Sequence, residues 1–266
     1  MRGKSSKKKI SIVINVLIVL IILLLLIIYK ENIINFVNNL KVSFTRTLIE
    51  EDRYKLYLKG LRVTLILSFF LILFGTILGV LVCLLNKSKI KILSTLSKIF
   101  VSIIQGTPLP VLLLIFYFVI FGNMNIDAMV VGIITFSIYF SAYVSEVLRA
   151  SVESINKSQI LAAYSLGFTK IQTIKYIFLP QALSYILPTY RNEVVTLIKL
   201  TSIGGYISIF ELTKASDVIR NRTYEAFFPL IFTALIYFLI CKLAAYILDC
   251  INIKVDPRLS KRKLAK

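Results

Sequence analysis

The sequence predicts an all-α membrane protein with six transmembrane helices, and three observations lead there. Hydrophobic residues fill 58% of the 266 positions, more apolar surface than one soluble core of this size buries. They gather into runs, and a hydrocarbon core of roughly 30 Å is crossed by about 20 helical residues. The formal charge of +19 lies mostly between those runs, as in loops retained on the cytoplasmic side rather than on a nucleic-acid surface.

The first predicted span, Ile10 to Ile28, follows the basic run Arg2, Lys4, Lys7, Lys8, Lys9. It exceeds a secretory h-region and no A-x-A-like cleavage site follows, so it reads as a retained anchor. The second, Val63 to Leu85, carries no charge. The third, Ile99 to Phe121, is interrupted by Gln105, Gly106, Thr107, Pro108 and Pro110 and is expected to be kinked or broken, because proline removes a backbone donor and crowds the preceding turn. The fourth covers Ala128 to Leu148 and the sixth Ala226 to Leu248. The fifth, Tyr176 to Ile198, holds Arg191, Asn192 and Glu193 and is the least apolar.

Orientation follows from loop charge. The amino-terminal run and Lys87, Lys89, Lys91, Lys98 have no acidic partner, so both are expected inside. The tail with Lys254, Arg258, Lys261, Arg262, Lys263 and Lys266 agrees when the span count is even. Both termini are then cytoplasmic in a multi-pass protein of the cell membrane. The turn Gly122 to Asp127 falls outside and has no basic residue, whereas Lys30 to Lys59 mixes Lys and Arg with Glu50, Glu51 and Asp52.

Several function classes recede. The sequence has no histidine, which removes imidazole bases, His-ligated zinc and HExxH metalloprotease chemistry. Cys83, Cys241 and Cys250 are few and sit in or beside apolar runs, so they read as packing residues rather than a disulfide framework. No nucleophile–base pair is recognisable, and no GxxxxGK[ST] phosphate loop is present. The chain is expected not to be an enzyme, to bind no metal or cofactor, and to take any ATP energy from another polypeptide.

One loop has helix grammar throughout. In Ser151 to Tyr176, Ser158 is a candidate N-cap for a short helix through Leu166, and Gly167 stands where a C′ glycine is expected. Thr169 and Gln172 form a capping-box pattern for a second short helix, and Pro180 marks the start of the next span. Two short helices joined at a glycine make a knob suited to a groove in a cytosolic partner, or an ordinary well-capped connection.

The run Gln159-Ile160-Leu161-Ala162-Ala163-Tyr164-Ser165-Leu166-Gly167, with Ile177-Phe178-Leu179-Pro180-Gln181-Ala182, resembles the EAA loop of binding-protein-dependent ABC importer permeases, G-Q-x-E-A-A-x-x-L-G followed by I-x-L-P-Q-A. Four further stretches resemble the polar-amino-acid branch of that family: Lys59 to Leu65, Gln105 to Leu109, Ala142 to Arg149 and Lys199 to Ile203. Together they cover residues 59 to 248. Leu161 stands at the family's glutamate, Ser158 at its glycine, Gln105 at its arginine and Leu200 at its aspartate. Docking here is therefore expected to rest more on apolar and backbone contacts.

The resemblance implies a five-helix type I ABC importer core, here with one added amino-terminal helix. It divides the chain into 1–58 (basic amino terminus, anchor helix and external segment), 59–250 (permease domain) and 251–266 (basic cytoplasmic tail). It implies a second permease subunit, identical or paralogous, a pair of cytosolic ATPases that bind the ATP, and an extracytoplasmic amino-acid-binding protein. Ser158, Gln159, Leu161, Ala162, Ala163, Gly167, Leu179 and Pro180 would form the ATPase-coupling loop. Ionisable groups at membrane depth usually face a cavity or a partner helix, which makes Arg191, Asn192, Glu193, Thr196, Lys199, Thr201 and Ser202 the candidates for lining the substrate path. Pairing of Arg191 and Glu193 with a neighbouring subunit is the alternative for those two. Glu146 and Arg149, at i and i+3, are expected to pair, and Lys242, near the inner end of the sixth span, to snorkel. A secondary carrier or channel is the competing function; it needs no docking loop and follows an ion gradient without an ATPase.

Overall fold

The computed structural model describes residue 15 and residues 29–255. The predicted first span lies outside the described residues, apart from Asn15. Among them every regular element is helical: α1 Lys30–Phe44, α2 Tyr54–Asn86, α3 Lys91–Gly106, α4 Leu109–Leu114, α5 Ala128–Glu153, α6 Lys157–Ser165, α7 Lys170–Thr173, α8 Leu179–Leu200, α9 Leu212–Thr223 and α10 Phe227–Val255.

Three helices, α2, α5 and α10, are long and apolar enough to cross a membrane, and two bent pairs bring the number to as many as five. The second predicted span becomes the longer α2, which starts nine residues earlier, at Tyr54. The third is broken, as the prolines demand: α3 and the helix from Leu109 to Ile120 meet at 106°. Pro108 is extended at the break and Pro110 occupies the first turn of α4, where its missing N–H is harmless. The fifth does not qualify alone, because its charged residues stand in α8. It is long and apolar enough only together with α9, the unit 170–207 and Leu212–Thr223 meeting at a bend of 53°.

α2 and α5 run parallel in close contact. A Cβ placed on Gly75 would lie 2.8 Å from Phe140 Cδ1, and one on Gly79 would lie 2.6 Å from Val144 Cβ. In lipid no hydrophobic gain distinguishes a helix partner from an acyl chain, so close van der Waals approach at small residues holds such pairs together. From Leu65 onward the opposite side of α2, with Leu65, Phe69, Leu73, Ile77, Leu81 and Leu84, is exposed and apolar, as a lipid-facing side requires. α3 packs antiparallel beside them, its Ser97 hydroxyl donating to Val82 O at 2.9 Å.

Phe136, Phe140, Leu67, Leu71, Leu113 and Leu197 form the centre of the main core, joining α2, α4, α5 and α8. α9 closes over the start of α2. A Cβ on Gly60 would lie 2.9 Å from Glu211 O, and Leu212 N donates to Thr64 Oγ1 at 3.0 Å. The Gly60 to Leu65 motif is thereby explained: its glycine admits the α9 backbone and its threonine caps it. Before α2, Glu51 and Asp52 adopt positive φ of 52° and 54°. The buried Arg53 guanidinium holds that turn, donating to Arg46 O and pairing with Glu51 at 3.0 Å.

Candidate functional site: a capped loop and a polar cleft

The loop after α5 starts from an ion-paired helix end. Arg149 Nη2 lies 2.7 Å from Glu146 Oε2 and Arg149 Nη1 lies 2.6 Å from Glu153 Oε2, which realises the expected pair and adds a third member. Asn156, not Ser158, is the N-cap of α6. Its Oδ1 accepts from Ser158 N at 2.9 Å and also from the Ser158 hydroxyl. Ser158 therefore sits two residues inside the boundary predicted for it, because an asparagine two positions earlier presents a side-chain oxygen at the right reach.

The other end of α6 follows the predicted grammar. Gly167 has φ +83°, Gly167 N donates to Tyr164 O at 3.0 Å and Phe168 N to Ala163 O at 3.1 Å, the two bonds of a Schellman motif. The capping box also forms: Gln172 N donates to Thr169 Oγ1 at 3.3 Å and Thr169 N to Gln172 Oε1 at 2.8 Å. The second short helix does not stand apart, however. α7 widens into a π-helical turn, Ile174–Phe178, in which Leu179 N donates to Ile174 O, and continues into α8. Pro180, which has no N–H to give, follows this π-helical turn directly in the first turn of α8.

Ala163, 1% exposed, anchors α6. Ser158, Gln159, Ala162 and Gly167 are exposed and Pro180 is half-buried. Outward point Leu161, Tyr164, Leu166, Ile171 and Tyr176, with Leu166 78% and Ile171 77% exposed, and Leu179 is exposed at the start of α8. A connection of some twenty residues thus shows a run of large apolar side chains outside its long spans.

The intramembrane candidates do not share one side of α8. Arg191, Lys199 and Ser202 line a cleft of about 630 Å³ between α8, α9 and α10, together with Thr213, Tyr237 and Lys242. Asn192, whose Oδ1 accepts from Arg191 Nη1 at 3.1 Å, and Thr196 are exposed, as is Lys199, but neither Asn192 nor Thr196 lines that cleft. Glu193 is half-buried, within electrostatic range of Tyr139 on α5. Thr201 is fully buried and donates to Ile198 O at 2.7 Å, which leaves it no open side. Arg191 is engaged within its own chain, Nε standing 2.7 Å from Asp249 Oδ1 of α10. Lys242 lies in the middle of α10, not near its inner end, and its ammonium sits 5.7 Å from the Phe238 ring centroid.

Glu211, missed by the sequence reading, is fully buried. Its Oε1 accepts from Lys214 N at 2.7 Å, and its Oε2 from Thr213 N at 2.6 Å and from the Tyr237 hydroxyl at 2.9 Å. A carboxylate that caps a helix and takes three hydrogen bonds has its desolvation largely offset. The one sequence signal was an acidic residue directly before the run Leu212 to Thr223. Nothing in sequence marks Tyr237 or Asp249.

Known proteins resemble the chain over most of its length. Residues 71–259 match the family described as binding-protein-dependent transport system inner membrane component. The chain is 34% identical over 214 residues, 80% of its length and 94% of the relative's, to YckA of Bacillus subtilis (strain 168), described as a probable amino-acid ABC transporter permease protein. It is 32% identical to the L-cystine transport system permease protein TcyB of the same organism, covering 85% of this chain and 100% of that one. A crystal structure of an amino acid ABC transporter with histidines superposes with a TM-score of 0.68 at 34% identity, over 76% of this chain and 94% of that chain.

Proposed function

Since this chain belongs to the family of binding-protein-dependent transport system inner membrane components, we propose that it carries a polar amino acid across the cell membrane as the permease subunit of an ATP-driven importer. The amino-acid assignment rests on what its relatives are described as carrying. The observation that supports the coupling role is the α6–α7 connection, capped at both helix starts and closed by a glycine at positive φ, with Leu161, Leu166 and Ile171 turned outward. A carrier driven by an ion gradient has no use for such a surface.

The partners are a pair of cytosolic ATPases, an extracytoplasmic amino-acid-binding protein, and a second permease subunit, identical or paralogous. Both termini lie on the cytoplasmic side, where the basic segments belong. ATP-driven closure of the motors draws the two α6–α7 connections together and turns the path outward to receive the amino acid; hydrolysis resets it. With Leu161 at the family's glutamate, docking relies on apolar contact. The exposed polar side of α8, with Asn192 and Thr196, is costly in lipid and faces the second subunit along the path.

Replacing Gly167 by valine tests the coupling. Its Cβ would meet nothing within 4 Å, so the penalty is conformational, roughly 1–2 kcal/mol for a side chain in the left-handed region. In proteoliposomes with ATPase and binding protein, Gly167→Val is expected to lower ATP-driven uptake by about tenfold or more, as a penalty of that size implies, while the complex still assembles. Undiminished uptake overturns the role of the loop.

A further inference from the structure

Another cavity lies away from both the loop and the polar cleft. It holds about 410 Å³ in the angle between α2 and α3, against α5, and is lined by Leu78, Val82 and Leu85 of α2 and by Leu93, Leu96 and Phe100 of α3. The hydroxyl groups on its wall are spent: Ser97 donates to Val82 O at 2.9 Å and Ser141 to Ile138 O at 2.7 Å. What remains is carbon, which cannot hold a polar solute out of water. Leu85 and Leu93 flank the connection between the helices, and Leu78 and Phe100 stand seven residues farther from it, which makes the groove about 10 Å long. Leu85 and Leu96, 43% and 57% exposed, leave it open beside the lipid-facing side of α2.

The connection at the end of this groove is charged. Lys87, Lys89 and Lys91 are all exposed there, and the ion pairs among the described residues include none of the three. Lys87 shares the surroundings of Cys83 with Glu146, Arg149 and Glu153, but both carboxylates close on Arg149, at 2.7 and 2.6 Å. The Ser94 hydroxyl donates to Asn86 O at 2.8 Å, which holds the start of α3 beside the end of α2. Four residues of chain span at most about 14 Å, and lysine stems are long and pliant, so the three ammonium groups can meet one headgroup. A surplus of positive charge thus borders an apolar groove.

We propose that the groove holds an acyl chain of an anionic glycerophospholipid from the cytoplasmic leaflet, with its phosphate met by Lys87, Lys89 and Lys91. Basic pockets between helices on this side of a membrane select anionic headgroups, whereas a choline headgroup would bring its own cation among the lysines. The acyl chain fills space that α2, α3 and α5 leave between them. The lipid thereby ties α3, the first half of the broken span, to the α2–α5 seam. The site rests on the cytoplasmic placement of the α2–α3 connection in the reading above and needs no transport step.

The experiment uses the complete permease–ATPase complex in nanodiscs of mixed phosphatidylcholine and phosphatidylglycerol, and native mass spectrometry counts the lipid that stays bound on release. The wild type is expected to keep phosphatidylglycerol over phosphatidylcholine by at least about tenfold, and Lys87→Gln, Lys89→Gln and Lys91→Gln each to lose about fivefold of that preference, the worth of one basic residue at an anionic surface. Lys98→Gln, level with the far end of the groove, and Lys254→Gln, at the end of α10, are expected to keep it. Leu96→Trp fills the groove and is expected to abolish the preference with every lysine in place; where its complex melts early, the smaller Leu96→Phe carries the same test. A preference that survives the three lysine variants, or falls equally in Lys98→Gln or Lys254→Gln, shows only diffuse attraction and overturns the site. So does an unchanged preference in both groove variants. Disulfide cross-linking between two Leu96→Cys copies would make a second permease the occupant and also overturns it. Stimulation of ATP hydrolysis by the binding protein is read in the same discs: its absence sinks the importer reading and leaves the lipid counts to decide the site, whereas normal stimulation without a lipid preference sinks the site alone.

Discussion

The α2–α5 pair and the α8–α10 pair are both helix contacts within one membrane protein, yet they are built on opposite terms. α2 meets α5 through Gly75 and Gly79, with no room for a single added carbon against Phe140 and Val144. α8 meets α10 through an ion pair, Arg191 with Asp249, and through Cys241, Ala244 and Leu248 packed against the core that holds Val194 and Leu197, with a cleft lined by lysine and hydroxyl groups on one side of the contact. The first contact excludes everything, while the second leaves a cleft of about 630 Å³ at its side. One subunit thus holds a closed seam and a more open one.

The largest expected effect breaks the closed seam. Gly79→Leu drives its side chain into Val144 and the Ser141 carbonyl, both on a helix that cannot shift alone. Overpacking of this kind costs about 3 kcal/mol or more, to be read as a lower thermal midpoint of the detergent-solubilised protein and as poor membrane yield. A normal midpoint would show that α2 and α5 are less tightly joined than the glycine contacts require.

Next comes the junction between the two seams. Glu211→Ala removes the α9 cap and leaves two backbone donors and the Tyr237 hydroxyl unsatisfied, a loss of about 2–3 kcal/mol. Tyr237→Phe forfeits one hydrogen bond to a charged acceptor and is expected to cost about half as much, about 1.5 kcal/mol. Chemical denaturation of both variants would sharpen the comparison, since equal losses would mean that the phenol, rather than the backbone cap, is the main partner of Glu211.

A smaller effect belongs to the open seam. Arg191 and Asp249 are 33% and 46% exposed, so their coupling is expected to be only about 0.5–1 kcal/mol in a double-mutant cycle of Arg191→Gln and Asp249→Asn. A coupling several times larger would turn the open seam into a closed one. The smallest effect is at Leu161, 64% exposed on α6. Leu161→Glu restores the charge of the family motif and is expected to move stability by less than about 0.5 kcal/mol, so any change in ATPase stimulation reads docking alone.

Much of this was legible in sequence. Apolar runs of sufficient length marked α2, α5 and α10, prolines marked the break after α3, and Thr169, Gln172 and Gly167 marked their own turns, because each signal depends on neighbours within four or five residues. The N-cap of α6 was misplaced by two residues since Asn156 and Ser158 are both good caps, and only the backbone path decides between them. The polar residues of α8 were found as a group but not divided. Facing α10, facing α5, exposed and buried were indistinguishable until the neighbouring helices were in place.

By itself, the sequence determined the solvent of this protein, the helical class, the loop grammar and the family, all of which follow from composition and short-range order along the chain. Tertiary structure alone decided that Gly60 and Thr64 serve α9, that Glu211 holds Tyr237, that Arg191 is already paired, and that Lys199 and Lys242 look into one cleft. The hydrogen bonds among them join residues from 26 to 148 positions apart. Register and rotation of packed helices set them, and a one-dimensional pattern carries neither.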